Sequence, residues 1–184
     1  IQNIINDGKE AIVLIPEIAL TYQTIRRFYE KFGNKVSIIN SKLSQGERYD
    51  QFERAKKGEI KIMIGPRSAL FTPFNNLGLI IIDEEHEGAY KSDQVPKYHA
   101  REVAIQRAKL TGAKVVLGSA TPSVNTYYKA MNGEYGLHRL LKRANEQALP
   151  TVDIVDMREE LNNGNKEIFS GKLKQLIEDR LENN

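Results

Sequence analysis

The sequence predicts an α/β fold: a three-layer domain with helices on both sides of a doubly wound parallel sheet. Three observations carry that prediction. Short apolar runs lack the polar alternation of a half-exposed sheet, so they suit strands buried on both faces. Segments of helical period lie between those runs, and the two kinds of segment alternate along the chain, as βαβ units require. At 184 residues, 40% hydrophobic and 28% charged, the chain suits one domain or one and a fraction with a sizeable core.

The elements follow in order. AIVLI at 11–15 is the first strand, and Ile25, Phe28, Tyr29 and Phe32 then fall on one face of a helix. KVSII at 35–39 is a weaker strand. Ser44 with Glu47 forms an S-x-x-E capping box that opens a helix to about Lys57, where Gly58 ends it. IKIMI (60–64) and LGLIIID (77–83) are the next strands, and Val103, Ala104, Arg107 and Ala108 mark a helical face before AKVVLG at 113–118. Beyond Arg143 the pattern loosens into Pro150, a short VDIVD run, a polar NNGN stretch and a helix carrying Leu173, Leu176, Ile177 and Leu181. Residues 1–143 therefore read as one domain and 144–184 as a connector toward another. Because the first residue is Ile1, the sequence is read as a piece of something longer.

No window approaches the ~18 consecutive apolar residues of a membrane span. No signal-peptide pattern opens the sequence, and there is no cysteine for disulfides or thiolate zinc sites, so a cytoplasmic location is expected. The net charge of +3 is unevenly spread: residues 1–90 carry 12 basic and 12 acidic side chains, 91–145 carry 10 and 3, and 146–184 carry 5 and 9. The basic middle block is either a solvated face or a footprint for a phosphate backbone.

In such a sheet, functional groups gather beyond the carboxyl ends of the strands. The run LGLIII ends there in Asp83, Glu84, Glu85 and His86 without a spacer. An aspartate at that position can hold a hydrated Mg²⁺ against nucleotide phosphates while the next glutamate activates water; a solvated acidic loop is the plainer alternative. Burying three unpaired carboxylates is costly, so either a cation arrives or the tip is wet. In GSATPS (118–123), Ser119 and Thr121 would reach His86 if the two strands are neighbours, although Thr121 or Ser123 also suits a helix cap. The stretch 87–104 interleaves Tyr90, Tyr98 and His99 with Lys91, Lys97 and Arg101, the rings and cations that single strands favour; alternatively Tyr98 packs under the next helix. His86 and His99 with Glu87 match no common zinc spacing.

DEEH (83–86), GSATPS, LIPEIALT (14–21), GPRSALFTPF (65–74) and YHAREVA (98–104), in this order and spacing, resemble the primosomal protein N′ family, the replication-restart DNA helicases of superfamily 2. The resemblance runs from about Ala11 to Arg143 and continues thinly through PTVDIVDMREE (150–160). It implies a RecA-like helicase domain 1 using ATP and Mg²⁺, with Asp83 on the metal, Glu84 on the attacking water and His86 linking hydrolysis to DNA binding. It further implies that Ser119 and Thr121 couple the motor domains, that Pro16, Glu17, Arg67 and Ser68 touch single-stranded DNA, and that Tyr90, Lys91, Tyr98, His99 and Arg101 belong to an aromatic-rich loop reporting bound DNA. The implied partners are single-stranded and forked DNA with primosome and replisome-loading proteins, in a bacterial, nucleoid-associated cytoplasmic setting without membrane contact.

Three departures stand out. These residues contain no G-x-x-x-x-G-K-[ST]; Gly8-Lys9 and Gly171-Lys172 lack both the earlier glycine and the following hydroxyl residue. The resemblance places that phosphate loop just upstream of IQNIINDG, so the piece by itself is expected not to hydrolyse ATP. It also places the amino-terminal DNA-binding region, the second motor domain and a cysteine-bound zinc module outside these residues. Pro66 stands where the family usually has threonine, and Asn40 where histidine is usual. Two other readings remain: a non-catalytic β/α nucleic-acid-binding module, and a metal-dependent phosphoesterase built on Asp83, Glu84 and Glu87.

Overall fold

Every residue of the first strand, β1 (Glu10–Leu14), is buried, and its side chains alternate between two cores. Ile12 and Leu14 belong to one apolar cluster, Val13 and the following Ile15 to the other. A period-2 strand can do this only when both faces of its sheet are covered. This computed structural model describes residues 1–141 and 150–183 and divides into two compact units, Ile1–Leu137 and His138–Asn184. The boundary expected at 143/144 lies outside the described residues.

In the first unit, β1 is joined by β2 (Val36–Ile38), β3 (Ile62–Gly65) and β4 (Leu77–Ile82). A short separate antiparallel pair follows, β5 (Lys91–Ser92) with β6 (Tyr98–His99), and then β7 (Lys114–Leu117). The five main strands are all parallel in the order β2-β3-β1-β4-β7. The chain thus works outward from β1 on one side, returns, and continues on the other, which makes the carboxyl end of β1 a switch point where ligands are favoured.

Helices α1 (Gln2–Asn6) and α2 (Tyr22–Phe32) cover one face through Ile5, Phe28 and Phe32. Helices α3 (Gln45–Lys56) and α4 (Ala100–Thr111) cover the other through Phe52, Ala55, Ala100, Ala104 and Ala108, giving the three layers. A further helix, α5 (Val124–Met131), follows β7. Tyr29 departs from the expected apolar face of α2 and is 43% exposed, because the stripe that meets the sheet is only as wide as Phe28 and Phe32.

The capping box forms as read. Ser44 Oγ accepts Glu47 N at 3.2 Å, Glu47 Oε2 accepts Ser44 N at 2.8 Å, and Gly58 turns the chain at φ +75°. Arg107 sits on the sheet-facing side of α4 because its Nη1 and Nη2 donate to the carbonyls of Leu70 and Thr72, tying the helix to the 67–71 turn. Gly65 ends β3 so close to β2 that a Cβ there would lie 2.4 Å from the Ile39 carbonyl oxygen.

In the second unit, α6 (Met157–Asn162) is capped by Asp156, and Glu160 Oε2 accepts Gly171 N at 2.8 Å where α7 (Gly171–Glu182) begins. Leu173, Leu176, Ile177 and Leu181 of α7 are exposed. The VDIVD run forms no strand. Among the described residues no helix is long and apolar enough to cross a membrane.

Candidate functional site

Side chains follow from strand ends. β4 and β7 are neighbours, with Ile82 beside Leu117, and Gly118 N donates to Ile82 O at 2.8 Å. The loops after both strands therefore leave the sheet side by side. Glu85 N returns to Gly118 O at 3.0 Å, and Asp83 N donates to Leu14 O at 2.9 Å, so the acidic tip is tied to both flanking strands. Within this turn Glu84 adopts φ +47°, a left-handed conformation that costs a non-glycine residue on the order of 1–3 kcal/mol. The strained turn sorts three consecutive acids into different environments.

Asp83 is exposed, with Oδ1 accepting Glu84 N at 3.1 Å. Glu84 is half-buried, and its Oε2 lies 3.6 Å from His86 Nδ1. Glu85 is 2% exposed and accepts Ser123 N at 2.7 Å, Arg101 Nη1 at 2.8 Å and Thr126 Oγ1 at 3.0 Å. Burial opposes ionisation of Glu85, but the donors Ser123 N, Arg101 and Thr126 outweigh it and hold the carboxyl below its ordinary value. The expected alternatives, a cation or a wet tip, are both realised: Arg101 meets the buried carboxylate, and Asp83 faces solvent.

His86 joins the two loops directly. Its Nδ1 shares a 2.7 Å hydrogen bond with Ser119 Oγ, its Nε2 lies 3.4 Å from Thr121 Oγ1, and Ser119 Oγ also accepts Thr121 N at 3.0 Å. Ser123, not Thr121, caps α5 by accepting Thr126 N. Beside Asp83, Gly118 keeps space open, since a Cβ there would reach 3.5 Å from Asp83 Oδ1.

A second feature opens at the ends of β1 and β3. Pro16, Glu17, Arg67 and Ser68 line a cleft of about 320 Å³ together with Ser41 and Arg48. Glu17 Oε1 accepts Ser41 N at 2.8 Å, and the hydrogen bonds from Ser41 hold this carboxyl below its usual value. Arg67 Nη1 donates to the carbonyls of Ala89 (3.1 Å) and Lys91 (2.7 Å), which fastens the cleft wall to the loop after the acidic tip. Pro66 uses its carbonyl to accept Ala69 N, and Asn40 Oδ1 accepts Lys42 N at 3.0 Å.

Two residues expected to contact DNA hold the fold instead. Tyr90 is 1% exposed and donates its hydroxyl to Asp83 O at 2.7 Å; burial, reinforced by the nearby carboxylates, pushes its phenol well above the ordinary value. Arg101 holds Glu85, Ser123 and Thr126 through Nη1. Tyr90 has no exposed face for a nucleobase, and Nη1 of Arg101 is taken by its three acceptors. Tyr98 is half-buried, edge-on to Phe71 at 5.4 Å between centroids. His99 caps α4 with Nδ1 accepting Arg101 N at 3.2 Å, and burial lowers its basicity. Lys91 is exposed.

Sequence reasoning gave Glu85, Thr126 and Arg48 no role of their own, and named Ser123 only as one of two candidate helix caps. Glu85 did carry a signal, as the third acid of a buried strand tip. Among the described residues no three His, Cys, Asp or Glu side chains are gathered as a metal site, so neither the zinc grouping nor the phosphoesterase grouping of Asp83, Glu84 and Glu87 is assembled.

Residues 1–130 match the DEAD/DEAH box helicase family. The chain is 49% identical over 181 residues to the replication restart protein PriA of Bacillus subtilis (strain 168), a match covering 98% of the chain and 22% of that protein. Against the replication restart protein PriA of Chlamydia muridarum the identity is 49% over 176 residues, covering 95% and 23%. Against that of Haemophilus influenzae it is 40% over 178 residues, covering 97% and 24%. The chain thus spans about a quarter of the length of these relatives. Among solved structures it is similar to the C-terminal domain of the DEAD-box protein Dbp5 (TM-score 0.44, 20% identity, covering 70% of the chain and 71% of that one). It is also similar to the Pyrococcus furiosus Hef helicase domain (TM-score 0.41, 18% identity, covering 70% and 26%). Because the family match takes in more than two thirds of the sequence, the chain belongs to the DEAD/DEAH box helicase family.

Proposed function

We propose that this chain is part of the first motor domain of an ATP-dependent 3′→5′ DNA helicase that restarts stalled replication forks and initiates primosome assembly in the bacterial cytoplasm. The observation that carries the reading is the hydrogen-bonded contact between His86 and Ser119, which puts the DEEH tip and the Ser-Ala-Thr turn at one sheet edge. Its relatives are named replication restart proteins, and residues 144–184 would then lead toward the second motor domain.

Asp83 fits a Mg²⁺ site of the kind that takes one or two protein carboxylates and completes its shell with water and phosphate. It is an exposed hard donor, and Gly118 leaves room beside it. When bound, magnesium and ATP would supply the reactive phosphoryl group and neutralise charge developing on it. Glu84 would orient the attacking water and accept its proton, held in place by the constrained backbone. His86 would pass a change at Glu84, 3.6 Å away, to Ser119 and Thr121. Pro16, Glu17, Arg67 and Ser68 would receive single-stranded DNA in their cleft, with Tyr98, His99 and Lys91 on the adjoining loop.

The test compares two proteins. The 184-residue chain by itself should show no DNA-stimulated ATPase, for want of a G-x-x-x-x-G-K-[ST]. The full-length protein should show it, and Glu84→Gln should lower it by about 10²-fold or more while leaving nucleotide binding intact. Robust ATPase from the chain alone, or an unaffected Glu84→Gln, refutes the reading; a full-length protein that binds DNA without any ATPase marks a non-catalytic module.

A further inference from the structure

The cleft between the ends of β1 and β3 holds one guanidinium whose Nε no hydrogen bond in the fold satisfies. Arg48, in the first turns of α3, lines the cleft, and its Nε is shielded from solvent without any hydrogen-bond partner. A charged guanidinium N–H closed off from water without a partner is destabilising, so its retention calls for an acceptor. The nearby Glu17 carboxylate attracts Arg48 across the cleft but turns Oε1 to Ser41 N and makes no direct ion pair with the guanidinium. The Glu47 carboxylate, next in sequence, closes the capping box onto Ser44. Arg67 is fixed by the carbonyls of Ala89 and Lys91. Two guanidinium groups against one carboxylate leave the cleft with an excess positive charge, and Arg48 carries the donor still to be satisfied.

We propose that Arg48 is a backbone-phosphate ligand for single-stranded nucleic acid, clamping one phosphodiester in the cleft formed with Glu17, Ser41, Arg67 and Ser68. The proposal rests on the DNA-binding reading above and names the residue that grips the strand there. A planar guanidinium suits this task, because it presents parallel N–H donors to two phosphate oxygens where an ammonium offers only a point charge. The contact would be indifferent to base identity and sensitive to salt.

The test uses the whole 184-residue chain and a fluorescein-labelled oligothymidine, with anisotropy followed across salt concentrations. Arg48→Ala should weaken binding about three- to tenfold and flatten the slope of log K against log salt by about 0.7, the value for one phosphate contact on a single strand. Arg48→Lys should keep most of the slope yet recover only part of the affinity. Lys109→Ala, which removes the same charge from an exposed position late in α4, should change neither quantity. In the unmutated chain the Arg48 side-chain N–H resonance should shift as the oligonucleotide is added, and inorganic phosphate at equal phosphate concentration should leave it in place. An Arg48→Ala slope equal to that of the parent overturns the proposal and leaves the DNA-binding reading standing. An equal shift with inorganic phosphate also overturns it, replacing the strand by a free anion. Failure of the parent chain to bind the oligonucleotide at all overturns both.

Discussion

Replacing Glu85 by alanine probes how the acidic tip is built. The wild-type carboxylate, with its side chain 1% exposed, accepts three hydrogen bonds of 2.7–3.0 Å from Ser123 N, Arg101 Nη1 and Thr126 Oγ1. Its removal leaves the guanidinium of Arg101, 13% exposed, without a counter-charge, a loss on the order of 3–5 kcal/mol when one member of a buried pair is deleted. Ser123 N loses its partner as well, although water entering the space of the missing side chain offsets part of that. A net cost of about 4 kcal/mol is expected, a large share of the ~5–15 kcal/mol that stabilises a domain. With a urea m-value of about 2 kcal/mol/M, the unfolding midpoint should fall by roughly 2 M. Circular dichroism in urea reads this directly, and amide exchange in 118–126 should rise more than in β1 or β3. The double variant Glu85→Leu with Arg101→Met should recover much of the loss, because an apolar pair of similar volume leaves no buried charge. A Glu85→Ala cost under about 1 kcal/mol, or a double variant equal to the sum of the single ones, would refute the buried pair as the element joining the two loops.

Two further outcomes follow from the packing and from burial. Gly65→Ala should cost about 1–3 kcal/mol, since its Cβ would meet the Ile39 carbonyl oxygen at 2.4 Å, whereas Gly118→Ala, whose nearest contact is 3.5 Å, should stay within about 0.5 kcal/mol; urea midpoints of the two separate backbone crowding from a generic glycine effect. His99 carries a lowered affinity for protons, from burial first and then from Arg101, so the unfolded chain binds its proton more readily than the folded one. The associated stability is present above the unfolded value of about 6.5 and is lost as pH falls below it through the lowered folded value, and His99→Asn, which offers a capping oxygen in place of Nδ1, should flatten that part of the urea-midpoint profile; an identical profile in both proteins counts against it.

The strands were legible because a continuous apolar run has one inexpensive solution, burial on both faces, and AIVLI, IKIMI and LGLIII took it to within a residue or two; AKVVLG also forms a strand, but as β7 at the sheet edge it is not buried on both faces, and Val116 is 49% exposed. The capping box was legible because its partners are three residues apart, so the interaction is local. The order of the strands was not, and the site depends on it: His86 meets Ser119 only because β4 and β7 are adjacent.

By itself the sequence determined the α/β class, the helix start at Ser44 and the chemistry available at the tip of β4. Which of three neighbouring acids turns inward was decided by tertiary structure. A left-handed backbone at Glu84 sends Glu85 toward Arg101, sixteen residues away, and leaves Asp83 in water. The same distinction explains Tyr90 and Arg101, whose side chains suit a nucleic-acid surface by type but are enclosed by contacts to Asp83, Glu85 and Thr126. Local chemistry sets what a residue can do. Long-range closure of the chain sets which of its atoms water or a ligand can still reach, and no local pattern encodes that geometry.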